Sequence, residues 1–191
     1  MMIRAIRNHF TDPAATAAWV VFTISMAALV AYQLRLLNFS EFADETETIV
    51  AAKMMVAGSS LYREIFNHHG PLTFLPGMLV ELAGGHSIAA HRALIAILQL
   101  VSLAALLFSP LIRNQHAIVR VTYTLLIATI YAGILPAGLG HTYSYQVLCG
   151  IMLSVAFSTW LLPQIAGELR VGTARTIVGG ALVASIPFLA I

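Results

Sequence analysis

Residues 41–92 read EFADETETIVAAKMMVAGSSLYREIFNHHGPLTFLPGMLVELAGGHSIAAHR and separate the first long apolar run of the chain from the second. Six of the eight carboxylates of the sequence lie in this segment, namely Glu41, Asp44, Glu45, Glu47, Glu64 and Glu81. Ionised groups are costly inside a lipid bilayer unless they are paired. We therefore expect the polar chemistry of the chain to lie here, outside the apolar runs on either side.

The composition is that of a polytopic membrane protein. Of 191 residues, 59% are hydrophobic and 9% are charged, whereas a soluble domain is about 25% charged. The net charge of +2 is small and the basic residues stand at the ends of apolar runs, so we expect no nucleic acid partner. The single cysteine, Cys149, has no partner for a disulfide within the chain.

Five apolar segments indicate about five membrane spans. A helix needs about 20 apolar residues to cross the hydrocarbon core, and these runs lack the alternation of barrel strands. We therefore predict an all-α polytopic transmembrane protein, with residues 1–191 as a single membrane domain. The predicted spans are 14–34, 88–108, 118–135, 146–162 and a fifth that starts near Thr176. The first run is too long for a signal peptide and is read as a retained span.

The arginines predict the orientation of these spans. Cytoplasmic loops are enriched in Lys and Arg. If each segment crosses once, one side of the membrane receives Arg4, Arg7, Arg113, Arg120, Arg170 and Arg175, and the other receives Arg35, Lys53, Arg63 and Arg92. The sequence therefore predicts an integral protein of a bacterial inner or plasma membrane, with a cytoplasmic N-terminus. Residues 38–92 then form a long first extracytoplasmic loop.

Surface-lying helices are expected within this loop. Ser40 is a candidate N-cap and Gly58 a candidate stop for a helix over Asp44–Ala57. A second short helix is predicted over Leu61–Asn67, and Pro71–Ala83 is too short for a span and suits an interfacial helix. Because the dipole of a helix favours negative charge in its first turn, the ionised forms of Asp44 and Glu45 are favoured.

Asp44 and Glu45 are the leading candidates for chemistry in the loop. A carboxylate held ionised at the membrane surface could act as a general base, with or without a metal between the two acids. The alternative is a solvated helix start. His68 and His69 could bind a metal or form a polar turn before Gly70.

Further candidate residues lie in two places beyond the acidic pair. Arg92 could contact a lipid phosphate or could serve as a snorkelling anchor. In the second outer loop, His141, Tyr143 and Tyr145 could roof a site formed by the first loop or could belong to an interfacial aromatic belt.

The order of these features resembles the amino-terminal part of the GT-C membrane glycosyltransferases. The resemblance is to the branch with the protein O-mannosyltransferases and the lipid A aminoarabinose transferases, and it covers about residues 14–110. It is carried by Asp44-Glu45, Ala52, Gly58, Tyr62, Arg63, His69-Gly70-Pro71-Leu72, Leu82, Gly84-Gly85 and Ala90-His91-Arg92. Because members of this family have more spans, the chain is expected to be part of a larger transmembrane domain.

The resemblance implies transfer of a sugar from a polyprenyl-phosphate carrier to an extracytoplasmic lipid, glycan or protein acceptor, with inversion at the anomeric carbon. Asp44 would be the catalytic base, and Glu45 would support it or bind a divalent cation. The donor-binding residues would be Tyr62, Arg63, His69 and Arg92. The second outer loop, GLGHTYSY, lacks the acid found in some branches, which leaves a metal requirement open.

Two other functions are compatible with the sequence. One is a transporter or flippase module for a lipid-linked substrate, and the other is a non-catalytic membrane subunit. Transporters commonly carry ionisable groups at mid-membrane depth. The middles of the predicted spans have no Asp, Glu, Lys or Arg, which favours chemistry at the surface over transport.

Overall fold

The computed structural model describes residues 12–39, 43–131, 141–165, 167 and 172–189. These residues form helices and connecting turns and contain no β-strand, which confirms the all-α prediction. The helices are α1 Pro13–Leu36, α2 Ala43–Val56, α3 Leu75–Leu82, α4 Ile88–Leu107, α5 Pro110–Arg113, α6 Ala117–Thr129, α7 Tyr145–Ile165 and α8 Thr173–Ser185. Short 3-10 turns occupy Pro71–Thr73 and Ile186–Phe188.

Three helices, α1, α4 and α7, are long and apolar enough to cross a membrane. Helices α6 and α8 are apolar but shorter in the described residues. Large apolar side chains on the outside of the bundle, such as Ile24 on α1 and Ile177 on α8, are about two-thirds exposed, as lipid-facing residues are. Five spans and their orientation stay predictions.

Polar contacts define the two ends of the bundle. Asp12 caps α1, because its Oδ1 accepts from the amide of Ala14, and its Oδ2 lies 2.9 Å from Nε2 of His116, just before α6. At the opposite end, Arg92 near the start of α4 donates to the carbonyl of Leu36 at the end of α1. Helices α1 and α6 therefore run parallel and α4 antiparallel to them, as alternating crossings require.

The loop predictions are confirmed for one helix and wrong for another. Helix α2 matches the predicted Asp44–Ala57 helix within one residue at each end. The predicted helix over Leu61–Asn67 is instead a turn, closed by the amide of Tyr62 donating to the carbonyl of Ile65 at 2.9 Å. The carboxylate of Glu64 accepts from the amide of Ser60 at 2.7 Å, and Tyr62 has φ of 66°, a left-handed conformation that interrupts a helix.

Helix α3 lies within the predicted interfacial segment and holds α2 in place. Its eight residues are too few for a span. Small side chains on α2 allow close approach, since Ala51 and Ala52 are buried in one apolar cluster with Phe74 and Ile65. Ser40, Arg4, Arg7 and Arg170 lie outside the described residues, so their predicted roles are not addressed by the structure.

The turn that follows α8 contacts the segment between α2 and α3. The amide of Gly70 and the hydroxyl of Thr73 both donate to the carbonyl of Leu189, at 3.2 and 2.8 Å. A Cβ at Gly70 would lie 2.1 Å from the backbone oxygen of Phe188. The loop and the last described turn are therefore packed backbone against backbone.

We expect Gly70→Ala to destabilise the protein. Overpacking typically costs about 1–3 kcal/mol, and here the obstacle is backbone that cannot rotate away. Gly150→Ala is the matched control, because a Cβ at that position on α7 meets nothing within 4 Å and alanine favours a helix. Thermal unfolding in detergent should show a lower Tm for the first variant and an equal or higher Tm for the second. Equal Tm values for the two variants would contradict this packing.

Candidate functional site

A buried ion pair joins α2 to α4. The carboxylate of Glu45 and the guanidinium of Arg92 are almost fully buried. Nε of Arg92 donates to Oε1 of Glu45 at 2.9 Å, and Nη2 donates to Oε2 at 2.5 Å. This two-point geometry is the strongest that an arginine and a carboxylate can form.

The same guanidinium donates hydrogen bonds to carbonyls at and just after the end of α1. Nη1 of Arg92 donates to the carbonyls of Leu36 at 3.1 Å and Phe39 at 2.8 Å. The last carbonyls of a helix lack partners within it and carry partial negative charge. Arg92 therefore ties three helices together at one point.

Arg92 and Glu45 were expected as a donor ligand and a helper of the base. The structure places both in a covered, hydrogen-bonded position, where Glu45 also accepts from the amide of Tyr143 at 2.9 Å. A lipid phosphate could reach Arg92 only after this pair opens. The geometry thus gives the pair a positioning role.

Asp44 points the other way. Neighbouring positions on a helix are about 100° apart, so burial of Glu45 leaves Asp44 on the open side of the first turn, where it is exposed. Its backbone carbonyl accepts from the hydroxyl of Thr48 at 2.8 Å. Its carboxylate makes no ion pair with any residue that the structure describes. Asp44 is therefore an accessible carboxylate on a fixed helix start.

The loop after α2 folds back over this acidic face. Nδ2 of Asn67 donates to Oε1 of Glu47 at 2.8 Å, and Oδ1 of Asn67 accepts from the amide of His69. The hydroxyl of Tyr62 donates to the carbonyl of His69 at 2.6 Å. These contacts bring Tyr62 and His69 to the side of α2 that carries the exposed acids.

His69 is buried between two rings. Its ring centroid lies 4.0 Å from that of His68 and 4.6 Å from that of Tyr145. Burial lowers the pKa of His69, and the neighbouring His68 lowers it further, whereas the negative charges of Glu47 and Asp44 oppose the shift. The imidazole is therefore favoured in its neutral form. It could contribute a hydrogen bond to a donor phosphate but no full charge.

Arg63 and Tyr62 are predicted donor-binding residues that stay accessible. Arg63 is exposed on the turn after Tyr62 and makes no ion pair within the described part of the chain. Tyr62 is half exposed, and partial desolvation raises the pKa of its hydroxyl. Both side chains are available from the outer side of the loop.

The second outer loop contributes His141 beside the ion pair. Its side chain is 4% exposed and packs edge-on against Phe39, with ring centroids 5.9 Å apart. Neither ring nitrogen has a hydrogen-bond partner among the described residues. Burial lowers the pKa of His141, as does the charge of Arg92, while Glu45 acts in the opposite direction.

Tyr143 makes buried hydrogen bonds that the sequence did not reveal. Besides the amide contact with Glu45, its hydroxyl donates to the carbonyl of Thr73 and accepts from the amide of Gly77, both at 2.6 Å. The side chain is fully buried, and desolvation raises the pKa of the phenol. A tyrosine in an outer loop is more often an interfacial anchor, so only the packed structure identifies this bridge between α2 and α3.

An apolar cavity of about 250 Å³ opens between the helices next to the ion pair. Two of its lining residues are neighbours of Arg92: the carbonyl of Leu37 accepts from Nη1 of Arg92 at 3.4 Å, and Ala93 follows Arg92 on α4. Gln33 and Gln99 contact each other at 3.4 Å in its wall. The lining residues are Met26, Leu29, Val30, Gln33, Leu34, Leu37, Ala93, Ala96, Ile97, Gln99, Leu100, Leu103, Ala128 and Tyr131.

No group of three or more His, Cys, Asp or Glu side chains in the described ranges is placed to hold a metal ion. The predicted use of a divalent cation stays a prediction. No protein-family model matches the chain, and no curated protein or solved structure is similar to it. The functional interpretation therefore depends on the residues themselves.

Removing the charge of Glu45 should destabilise the protein strongly. In Glu45→Gln the guanidinium of Arg92 stays buried without its counter-charge, and breaking a buried pair in this way costs about 3–5 kcal/mol. Asp44→Asn is the matched control, since an exposed substitution usually changes stability by less than about 0.5 kcal/mol. Thermal unfolding of the purified variants measures the difference. Similar losses in both variants would argue against a positioning role for Glu45.

Acid should destabilise the folded protein through His69 and His141. An unfolded histidine has a pKa of about 6.5, and the folded-state pKa of each residue is lower. Above about pH 6.5 both histidines are neutral in the folded and in the unfolded protein, so their protonation takes nothing from the free energy of unfolding. Below it the unfolded chain binds protons that the folded sites resist, so stability falls as the pH drops through the folded-state pKa values.

His141→Phe tests this dependence. The phenyl ring keeps the contact with Phe39 and removes two unpartnered nitrogens. We expect a Tm at least as high as the wild type at about pH 7.5, and a smaller fall in Tm on acidification to about pH 5. A lower Tm at about pH 7.5, together with an unchanged acid response, would show that His141 is well satisfied in the folded protein.

Proposed function

We propose that the chain is part of a GT-C type membrane glycosyltransferase, which moves a sugar from a polyprenyl-phosphate carrier to a hydroxyl outside the cytoplasm, with inversion. One observation carries the proposal. An exposed carboxylate, Asp44, stands at a helix start next to a residue of the buried ion pair, and Leu37 and Ala93, which are neighbours of Arg92, line an apolar cavity. This arrangement suits a substrate with a polar reacting group and a lipid tail.

The proposed reaction needs one base. The carboxylate of Asp44 takes the proton of the acceptor hydroxyl, and the acceptor oxygen forms a bond to the anomeric carbon. The bond from that carbon to the phosphate oxygen breaks, and its electron pair leaves with the lipid phosphate. Attack opposite to the leaving group inverts the configuration, as in inverting glycosidases.

The tail of the donor would occupy the cavity between α1, α4 and α6. Because lipid is as apolar as the lining, moving the donor tail from the bilayer into the cavity gains little hydrophobic free energy. The cavity would therefore select the tail by shape and packing. At its outer end Arg63 would approach the departing phosphate, where a basic group stabilises developing negative charge. Tyr62 and the neutral His69 would add hydrogen bonds.

The sequence motifs support the same proposal. The acidic pair, the Gly58–Tyr62 spacing and His69-Gly70-Pro71-Leu72 follow the order found in the family that the chain resembles. In the structure these motifs converge, since Tyr62 and His69 are linked by a hydrogen bond over α2. The proposal places the site outside the cytoplasm, in an integral membrane protein.

A transporter module and a non-catalytic subunit are the competing functions. Within the described parts of α1, α4 and α7, charged residues occur only near the helix ends, whereas transport pathways usually place ionisable groups at mid-depth. Polar contacts at depth involve Gln33, Gln99, Ser102 and Tyr131. Such uncharged contacts are also common where membrane helices pack.

Asp44→Asn should abolish sugar transfer but leave donor binding intact. Loss of a general base lowers rates by about 10²–10⁴-fold, while the cavity and the Glu45–Arg92 pair are unchanged. Transfer is measured in native membrane vesicles from a panel of labelled polyprenyl-phosphate sugars, and binding is measured with polyprenyl phosphate alone.

Glu64→Gln is the control for charge. It removes one negative charge from the same outer segment, and its amide oxygen can still accept from Ser60. This variant should transfer at the wild-type rate. Full activity of Asp44→Asn would remove the proposed base. Donor binding without transfer by the wild type would favour a transporter or a subunit.

A further inference from the structure

A second buried acid lies at the junction of α3 and α4, away from the proposed base. Glu81 is in the last turn of α3 and is 4% exposed. His91 is in the first turn of α4 and is fully buried. His86 stands in the connection between the two helices, with its side chain largely exposed. The proposed sugar transfer makes no use of these three side chains.

The protons of His91 can be assigned from its contacts. Nδ1 lies 3.0 Å from the backbone carbonyl of Ser87. A carbonyl oxygen only accepts, so Nδ1 carries a hydrogen. Nε2 then bears a lone pair, unless a second proton is bound.

The two oxygens of the Glu81 carboxylate face different histidines. Oε2 lies 2.5 Å from Nδ1 of His86, which can donate its hydrogen as a neutral imidazole. Oε1 lies 3.6 Å from Nε2 of His91. Neither Oε1 of Glu81 nor Nε2 of His91 has a hydrogen-bond partner among the described residues.

Two acceptors would therefore face each other inside the protein. A buried polar atom without a partner costs about 1–3 kcal/mol, and the low local dielectric strengthens the repulsion between two lone pairs. One added proton removes both defects once the two atoms close from 3.6 Å to hydrogen-bond distance, because it bonds either Nε2–H to a carboxylate or a carboxylic acid to Nε2. The proton belongs to the pair and not to one residue.

We propose that Glu81 and His91 form a proton-binding site that holds one proton between Oε1 and Nε2 in the folded protein. The bound proton fastens α3 to the first turn of α4. Helix α3 packs against α2, so the proton stabilises the helix that holds the acidic helix α2 in place. This inference does not depend on the proposed function and can hold for a transporter or a subunit.

The other titratable groups nearby are already engaged. Tyr143 packs against the ring of His91 with centroids 5.5 Å apart, and its hydroxyl both donates to Thr73 and accepts from Gly77. Arg92, the next residue on α4, is directed to Glu45. His86 contacts the other oxygen of Glu81. None of these groups supplies a donor to the facing pair.

Magnetic resonance of the full chain tests the proposal directly. The protein, labelled with ¹⁵N in histidine and ¹³C in glutamate, is studied in lipid nanodiscs at about pH 7.5, with His91 and Glu81 assigned from single variants. A protonated Nε2 of His91, or a Glu81 carboxyl signal typical of the acid, supports the bound proton. An unprotonated Nε2 opposite an ionised carboxylate overturns it. A signal that changes on adding EDTA also overturns it, because a metal would then be the ligand.

Two variants of Glu81 provide an independent test. In Glu81→Gln the amide can donate to Nε2 of His91 while its oxygen accepts from His86, so the variant mimics the protonated acid and should melt within about 2 °C of the wild type. Glu81→Ala leaves Nε2 without a donor and should lower the Tm by roughly 5 °C or more. A Tm of Glu81→Ala equal to that of the wild type would show that Nε2 of His91 needs no donor, and would overturn the proposal.

Discussion

The structure depends on one guanidinium group buried at the meeting point of three helices. Arg92 supplies hydrogens to the carboxylate of Glu45 and to the terminal carbonyls of α1. Each of these groups would be costly to bury alone, and together they satisfy one another. The pair fixes where α2 begins and how it is rotated. It also links the second outer loop, through the amide of Tyr143, to the first.

This constraint gives two adjacent carboxylates different environments, because a helix turns by about 100° per residue. Glu45 faces the bundle and is neutralised by Arg92, whereas Asp44 faces outward with the helix dipole beside it. The apolar cavity is lined by Leu37 and Ala93, which are neighbours of Arg92, so the same guanidinium links the helix that carries Asp44 to the helices that line the cavity.

Buried polar groups recur at the same end of the bundle. Glu81, His91 and His141 all have atoms without partners in the described residues, and they surround the elements that carry the candidate site. Such groups reduce stability, and natural proteins commonly retain them where a ligand, a proton or a reaction requires them. For Glu81 and His91, whose unpartnered atoms face each other, the proposed missing component is a proton.

The sequence by itself determined the all-helical class, the position of α2 and the separation of apolar from polar chemistry. These follow from run length, dipole preference and the cost of charge in lipid, which are local properties of the chain. It did not determine the roles within the site. Three features join residues that are 10 to 98 positions apart in the sequence. They are the burial of Arg92, the bridging contacts of Tyr143, and the pair formed by Glu81 and His91. The turn at Leu61–Ile65 was missed for a local reason, since the contact of Glu64 with the amide of Ser60 and the left-handed Tyr62 override a helical pattern. Only the tertiary structure decides the long-range features, because they depend on which groups satisfy one another once the helices are packed.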